Sequence, residues 1–147
     1  FTPGAYGDRP QTFVTANVVA APTEEEARLR SEPFMLQMAR MRTGGRMEKL
    51  HLAGDDVRSV MTDQERMVGE ELSGNWIIGD TKSVSAQLEE LAERFDVDEI
   101  MIQPIASAME DEDVREDPGR TQTIHLLATE FLGSTGASGV ADAGTDM

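Results

Sequence analysis

The feature that most constrains this chain is an alternation. Three short runs of strand-forming residues, 11–21 (QTFVTANVVAA), 75–79 (NWIIG) and 99–105 (EIMIQPI), are separated by longer stretches whose apolar residues recur at helical spacing. Such alternation places parallel strands beside one another, joined by right-handed crossovers, with helices packed on the sheet. The expected fold class is therefore α/β, with about three parallel strands and outer helices.

The signals between the runs sharpen this reading. Residues 1–10 (FTPGAYGDRP) are rich in Gly and Pro and read as loop. The first run is apolar and β-branched, as in a strand buried on both faces. Thr23 and Glu26 form a capping-box pair, and Glu24, Glu25 and Glu26 suit the positive end of a helix. Ala27 and Leu29 belong to that helix. Pro33 is expected to kink it or to start a second one, which carries Phe34, Met35, Met38 and Met41 as far as Gly44-Gly45. Residues 44–61 show no period and read as an irregular insert. Thr62 and Glu65 repeat the capping box before a short helix through Met67, Val68 and Leu72 that ends at Ser73-Gly74. Asp80 or Thr81 caps the next helix, where Val84, Leu88, Leu91, Ala92 and Phe95 share one face. Residues 107–119 (SAMEDEDVREDPG) read as an exposed acidic loop, in which Glu110–Asp113 could hold a cation but lack the fixed spacing of a calcium loop and read as a solvated face. The last helix is expected to bury Ile124, Leu127, Ala128, Phe131 and Leu132. Residues 134–147 are small, polar and acidic and are expected to be a disordered tail.

Length and charge bound the rest. A chain of 147 residues holds one cored domain, but a closed (β/α)8 barrel takes roughly 200 to 250 residues. Three parallel strands leave two bare edges, which tend to pair with something. Together with a first residue, Phe1, that is not Met, this suggests a processed chain or a piece of a longer one. With no cysteine, thiolate chemistry and disulfides are excluded. A net charge of −15 disfavours nucleic-acid binding. It fits either a basic partner or a halophilic source, where salt screens dense carboxylates. No apolar run reaches the ~20 residues of a membrane span, so the expected location is the cytoplasm.

Two stretches resemble a known family in order and spacing. WIIGDTKSVSAQLEELAERFDVDEIMIQP resembles the end of luciferase-like monooxygenases, where a short strand ending in Gly leads through a Leu-Glu-Glu-Leu helix to an Asp-Glu-Ile-Met-Ile strand. Upstream, TANVVAAPTEEEARLR is similar to that family's preceding strand and helix. The resemblance covers most of residues 11–133. It implies the C-terminal portion of a (β/α)8 TIM-type barrel, comprising its last three β/α units. It also implies reduced FMN as cofactor, with O2 and an aldehyde-like or other small organic substrate. A deazaflavin-dependent hydride-transfer enzyme on the same barrel is the alternative. Most of such a family's catalytic apparatus lies on earlier strands, so this chain alone is expected to be inactive.

In such barrels functional residues stand at the C-terminal ends of strands, here Asn17–Ala21, Ile78–Thr81 and Gln103–Ser107. The cofactor-contact candidates are Trp76, Gly79 and Gln103. Trp76 fills the core or lies against a flavin ring. Gly79, ahead of Asp80-Thr81, serves a helix cap or a phosphate. Gln103 bonds to backbone or to an isoalloxazine edge. His51 in the insert and His125 on the last helix have no acid-base partner in sequence, and no metal cluster is expected. No catalytic residue is identified. From a different class comes a non-catalytic half-barrel that pairs through its open edges, as a homodimer or with a complementary barrel half.

Overall fold

The structure, a computed structural model, describes residues 2–5, 7–54 and 56–133. The expected disordered tail, 134–147, lies outside the described residues. The elements run β1 (Phe13–Ala21), α1 (Glu24–Thr43), α2 (Asp63–Ser73), β2 (Ile77–Asp80), α3 (Thr81–Phe95), β3 (Glu99–Pro104) and α4 (Pro118–Gly133). Short 3-10 turns stand at Val57–Val60, inside the insert, and at Val114–Glu116.

The α/β class and the three parallel strands are as expected. Their order is β2-β1-β3. Consecutive strands of a closed barrel stand in chain order, so here the longest strand has taken the centre. The crossover from β1 to β2 runs one way across the sheet, and that from β2 to β3 runs back past β1. Two right-handed crossovers in opposite directions put their helices on opposite faces. The core divides accordingly. On one face Val18, Ala20 and Ile77 pack under Val84 and Leu88 of α3 and Leu127 of α4. On the other, Val19, Ala21 and Ile78 meet Ala27 and Phe34 of α1. The helices thus cover two faces and do not form a single outer layer.

Local chemistry explains where the elements stop. Thr23 Oγ1 accepts from the Glu26 N–H, as a cap should, but the Glu26 carboxylate goes elsewhere, to Arg30 and Gln122. Helix α1 runs unbroken through Pro33, which is fully buried. It ends at Gly44, whose φ of 74° suits a residue without Cβ. The Thr62–Glu65 capping box forms in both directions. Of the two candidate caps for α3, Asp80 does the work through the Ser83 N–H.

Three burial expectations are corrected. Strand β1 is buried only from Val18 to Ala21, and its first half is exposed or half-buried. The last helix starts earlier than expected, with Pro118 in its first turn, and buries Gly119, Thr123 and Leu127 four residues apart. Ile124, Phe131 and Leu132 stay exposed, because small residues let α4 lie close to the sheet on that stripe. In the Met stripe Met35 is buried and Met41 is exposed.

Candidate functional site

In open parallel sheets, a crevice forms at the carboxyl ends of two neighbouring strands whose following helices leave to opposite faces. Here β1 and β3 are such a pair, since α1 leaves to one face and α4 to the other. The crevice is built rather than open. Beyond the end of β3, the side chain of Thr123 takes the place of a strand. Its Oγ1 accepts from the Ala20 N–H and donates to the Ala20 carbonyl, each at 3.2 Å. Gly119 lets the first turn of α4 approach, for a Cβ there would stand 2.5 Å from the Ser107 carbonyl oxygen.

Arg30, 3 % exposed, lies at the heart of this end of the molecule. Its Nε donates to Glu26 Oε1 at 2.9 Å, and its Nη1 to the Ser107 carbonyl at 3.1 Å. Nη1 and Nη2 hold Glu112 in a two-pronged bond at 2.8 and 2.7 Å. Gln122 Nε2 completes the group by donating to Glu26. The hydrogen bonds to Glu112 raise the Arg30 pKa against the opposing pull of burial, and Glu26 adds to the rise. Glu112 is held below the ordinary carboxylate value, first by Arg30 and then by the Met109 N–H. Arg30 is therefore spent on two carboxylates and a carbonyl, which makes it a staple and leaves little of it for an anionic ligand. Two buried atoms here are unspent, Ser107 Oγ and Gln122 Oε1.

Most of 107–119 is exposed as expected, Glu110, Asp111 and Asp113 included, but this cluster anchors the loop to the fold at Ser107 and Glu112. Ser107 is buried, and Glu112 pins the loop to α1. The insert joins it there, through the Ala53 N–H to the Ala108 carbonyl and the bridge between Ala53 and Met109. Nothing in the local pattern of SAMEDEDVREDPG singles out Glu112 among its acidic neighbours. An arginine on the apolar side of α1, between Ala27 and Phe34, was the one available signal.

The predicted contact residues are not brought together. Trp76 precedes β2 and packs on Phe34, ring centroids 5.4 Å apart, within the cores beside α1. Gly79 is buried in register with Ala20, where a Cβ would meet Ser83 Oγ at 3.3 Å, so close packing at the start of α3 accounts for it. Gln103 lies across β1 from both, on the open face of the sheet, in register with Asn17. His125 is exposed on α4.

That open face is the second notable region. Phe13, Thr15 and Asn17 of β1 stand beside Glu99, Met101 and Gln103 of β3 in strict register. Phe13 is 61 % and Met101 52 % exposed. β2 pairs only with Val18–Ala21, so the first half of β1 has no neighbour on that side, and the outer edge of β3 has none among the described residues.

The class these observations define is a small, three-stranded parallel α/β unit with open edges. No family model matches the sequence, and no curated protein does. Among solved structures, apo-MsnO8 has a similar fold, with a TM-score of 0.62 and 19 % sequence identity. The match covers 90 % of this chain but 38 % of that one, so this chain spans well under half of its structural neighbour. No helix among the described residues is long and apolar enough to cross a membrane.

Proposed function

We propose that this chain is one wall of a luciferase-like, flavin-dependent oxidoreductase of the barrel type. In this reading the whole protein uses reduced FMN and O2 to oxidise an aldehyde-like or other small organic substrate. The observation that carries it is the unfinished sheet: an open, nearly uncharged face and two open edges in a chain that is 28 % charged. The sequence resemblance and the likeness to a fold more than twice as long support the same reading. Bound reduced flavin would supply the electrons for oxygen chemistry. The residues of this chain would shape and dry one side of its pocket.

The strand order sets a condition on this proposal. Consecutive strands of a closed barrel stand in chain order, whereas here β1 lies between β2 and β3, so the native protein has to close its sheet around the order found here. The test is to purify the native protein that contains this segment and mix it with reduced FMN without oxygen. Admitting air with and without a long-chain aldehyde should then give aldehyde-dependent consumption of the reduced flavin. Absence of flavin binding sinks the proposal. Binding of a deazaflavin, with hydride transfer indifferent to oxygen, favours the alternative cofactor.

The open edges also favour a second reading, a non-catalytic half-barrel that pairs with a second copy or a complementary chain. A dimer that forms without flavin and dissociates when β3 carries a Pro at Ile102 would support it.

A further inference from the structure

The insert and the loop after β3 enclose a cleft of about 400 Å³, lined by Glu48, Lys49, Leu50, His51, Leu52 and Val114. Both walls are fixed to the core of this chain. The insert is anchored by the buried Ala53 and Val57, and the loop by the bonds of Glu112 to Arg30 and to the Met109 N–H. The walls meet at Ala53, whose N–H donates to the Ala108 carbonyl at 2.8 Å and which bridges to Met109. The cleft is thus built by the described residues themselves, whatever completes the sheet.

Its charges are settled except for one. Glu48 is held by Arg40 at 3.2 Å, Asp113, next to Val114, by Arg115 at 2.7 Å, and Glu112 by Arg30 at 2.7 Å. Lys49, one of two lysines in the chain, lines the cleft and makes no ion pair among the described residues. Beside it Leu50 and Val114 leave large apolar side chains exposed. An uncompensated ammonium at an apolar wall is complementary to an anion that carries a hydrocarbon tail.

We propose that this cleft binds a monocarboxylate with an aliphatic tail, with Lys49 holding the carboxylate and Leu50 and Val114 the tail. A dianion such as a phosphate monoester fits less well. It meets a single lysine, and Glu110 and Asp111 further along the loop repel it, within a chain of net charge −15. The proposal goes beyond the function argued above and does not depend on it.

The test uses the full chain with octanoate, octanol and octyl phosphate, followed by amide NMR and calorimetry. Octanoate is expected to shift the amides of residues 49–52 and Val114, and to bind more tightly than the other two. Lys49→Gln should weaken octanoate about tenfold, as loss of a hydrogen bond to a charged group implies, and leave octanol unchanged. Lys49→Arg should restore most of the affinity. Lys49 is exposed, so these variants keep the fold. The proposal fails if octanoate shifts no amide of the cleft, or shifts instead those around Ile124 and Phe131 in the apolar groove between α3 and α4. It also fails if Lys49→Gln binds octanoate as the wild type does, or if octanol or octyl phosphate binds as tightly as octanoate. No flavin takes part, so none of these outcomes bears on the oxidoreductase reading.

Discussion

The two halves of β1 differ in what they touch. From Val18 to Ala21 every residue is fully buried, with a helix on each face, a strand on one edge and Thr123 on the other. From Phe13 to Asn17 the same strand has one neighbour, β3, and its odd-numbered side chains look onto open space. The composition of the two halves is not very different, as VVAA follows FVTAN. What differs is the presence of a buried ion pair and close-packed glycines at one end and their absence at the other. One end is closed by its own packing, and the other leaves a face of the sheet uncovered by the described residues. Substitutions at the two ends should therefore differ in size by several-fold.

The largest effect is expected at Arg30. Arg30→Met takes the partner from Glu112 and Glu26, whose side chains are each 26 % exposed, and leaves the buried Ser107 carbonyl without its donor; losing hydrogen bonds to charged groups at such a site costs about 2–3 kcal/mol. Urea unfolding should show a lower midpoint with an unchanged slope. A loss below about 1 kcal/mol would mean that the crevice is wetter than its geometry implies. The pair also predicts a pH dependence. Glu112 has a lowered pKa in the folded state, so the unfolded chain takes up its proton first as pH falls. Its contribution is fully present above the ordinary value of 4.5 and is lost as pH drops through the lower folded value. Glu112→Gln should therefore flatten the stability curve on the acid side and change its shape little near neutrality.

Next in size come the contacts that let α4 sit down. A Cβ at Gly119 would meet the backbone at Ser107 and Ala106, at 2.5 and 2.7 Å from their carbonyl oxygens, and backbone cannot rotate away. Gly119→Ala is expected to cost about 2 kcal/mol, as overpacking does. Thr123→Val keeps the shape but strands the Ala20 N–H and carbonyl, each bonded to the hydroxyl now. A loss of about 1–2 kcal/mol is expected, together with faster hydrogen exchange at the Ala20 amide. Unchanged exchange there would mean that another group holds the end of β1.

Much of the scaffold was legible because its signals are local. The Thr62–Glu65 capping box and the Thr23 and Asp80 caps each fall within one turn of helix, the period of α3 within one helix, and the strand runs are short apolar blocks. The strand order was not legible, because it depends on which edge wins a partner once several are free. The half-exposure of β1 was missed for the same reason, since FVTAN reads as well in a buried strand as on an open face. The Arg30–Glu112 pair joins residues 82 positions apart, and no spacing rule reaches that far. Of the three predicted contact residues, Trp76 and Gly79 are accounted for by packing, and Gln103 is left standing free beside Asn17.

The smallest effect is expected on the open face, and it is the most decisive for the comparison. Phe13→Ser and Met101→Ser remove large apolar side chains that are more than half exposed in this chain. On the 147-residue chain each should change unfolding stability by no more than about 0.5 kcal/mol, as surface substitutions do. In the native protein, if the face is a wall of a completed pocket, the same substitutions should cost about 2–3 kcal/mol, as burial of a Phe or Met implies. The difference between the two backgrounds measures how much of the face is covered by the rest of the molecule. Equal small effects in both would leave β1 with a permanently open half, and the unfinished sheet would then be the surface itself.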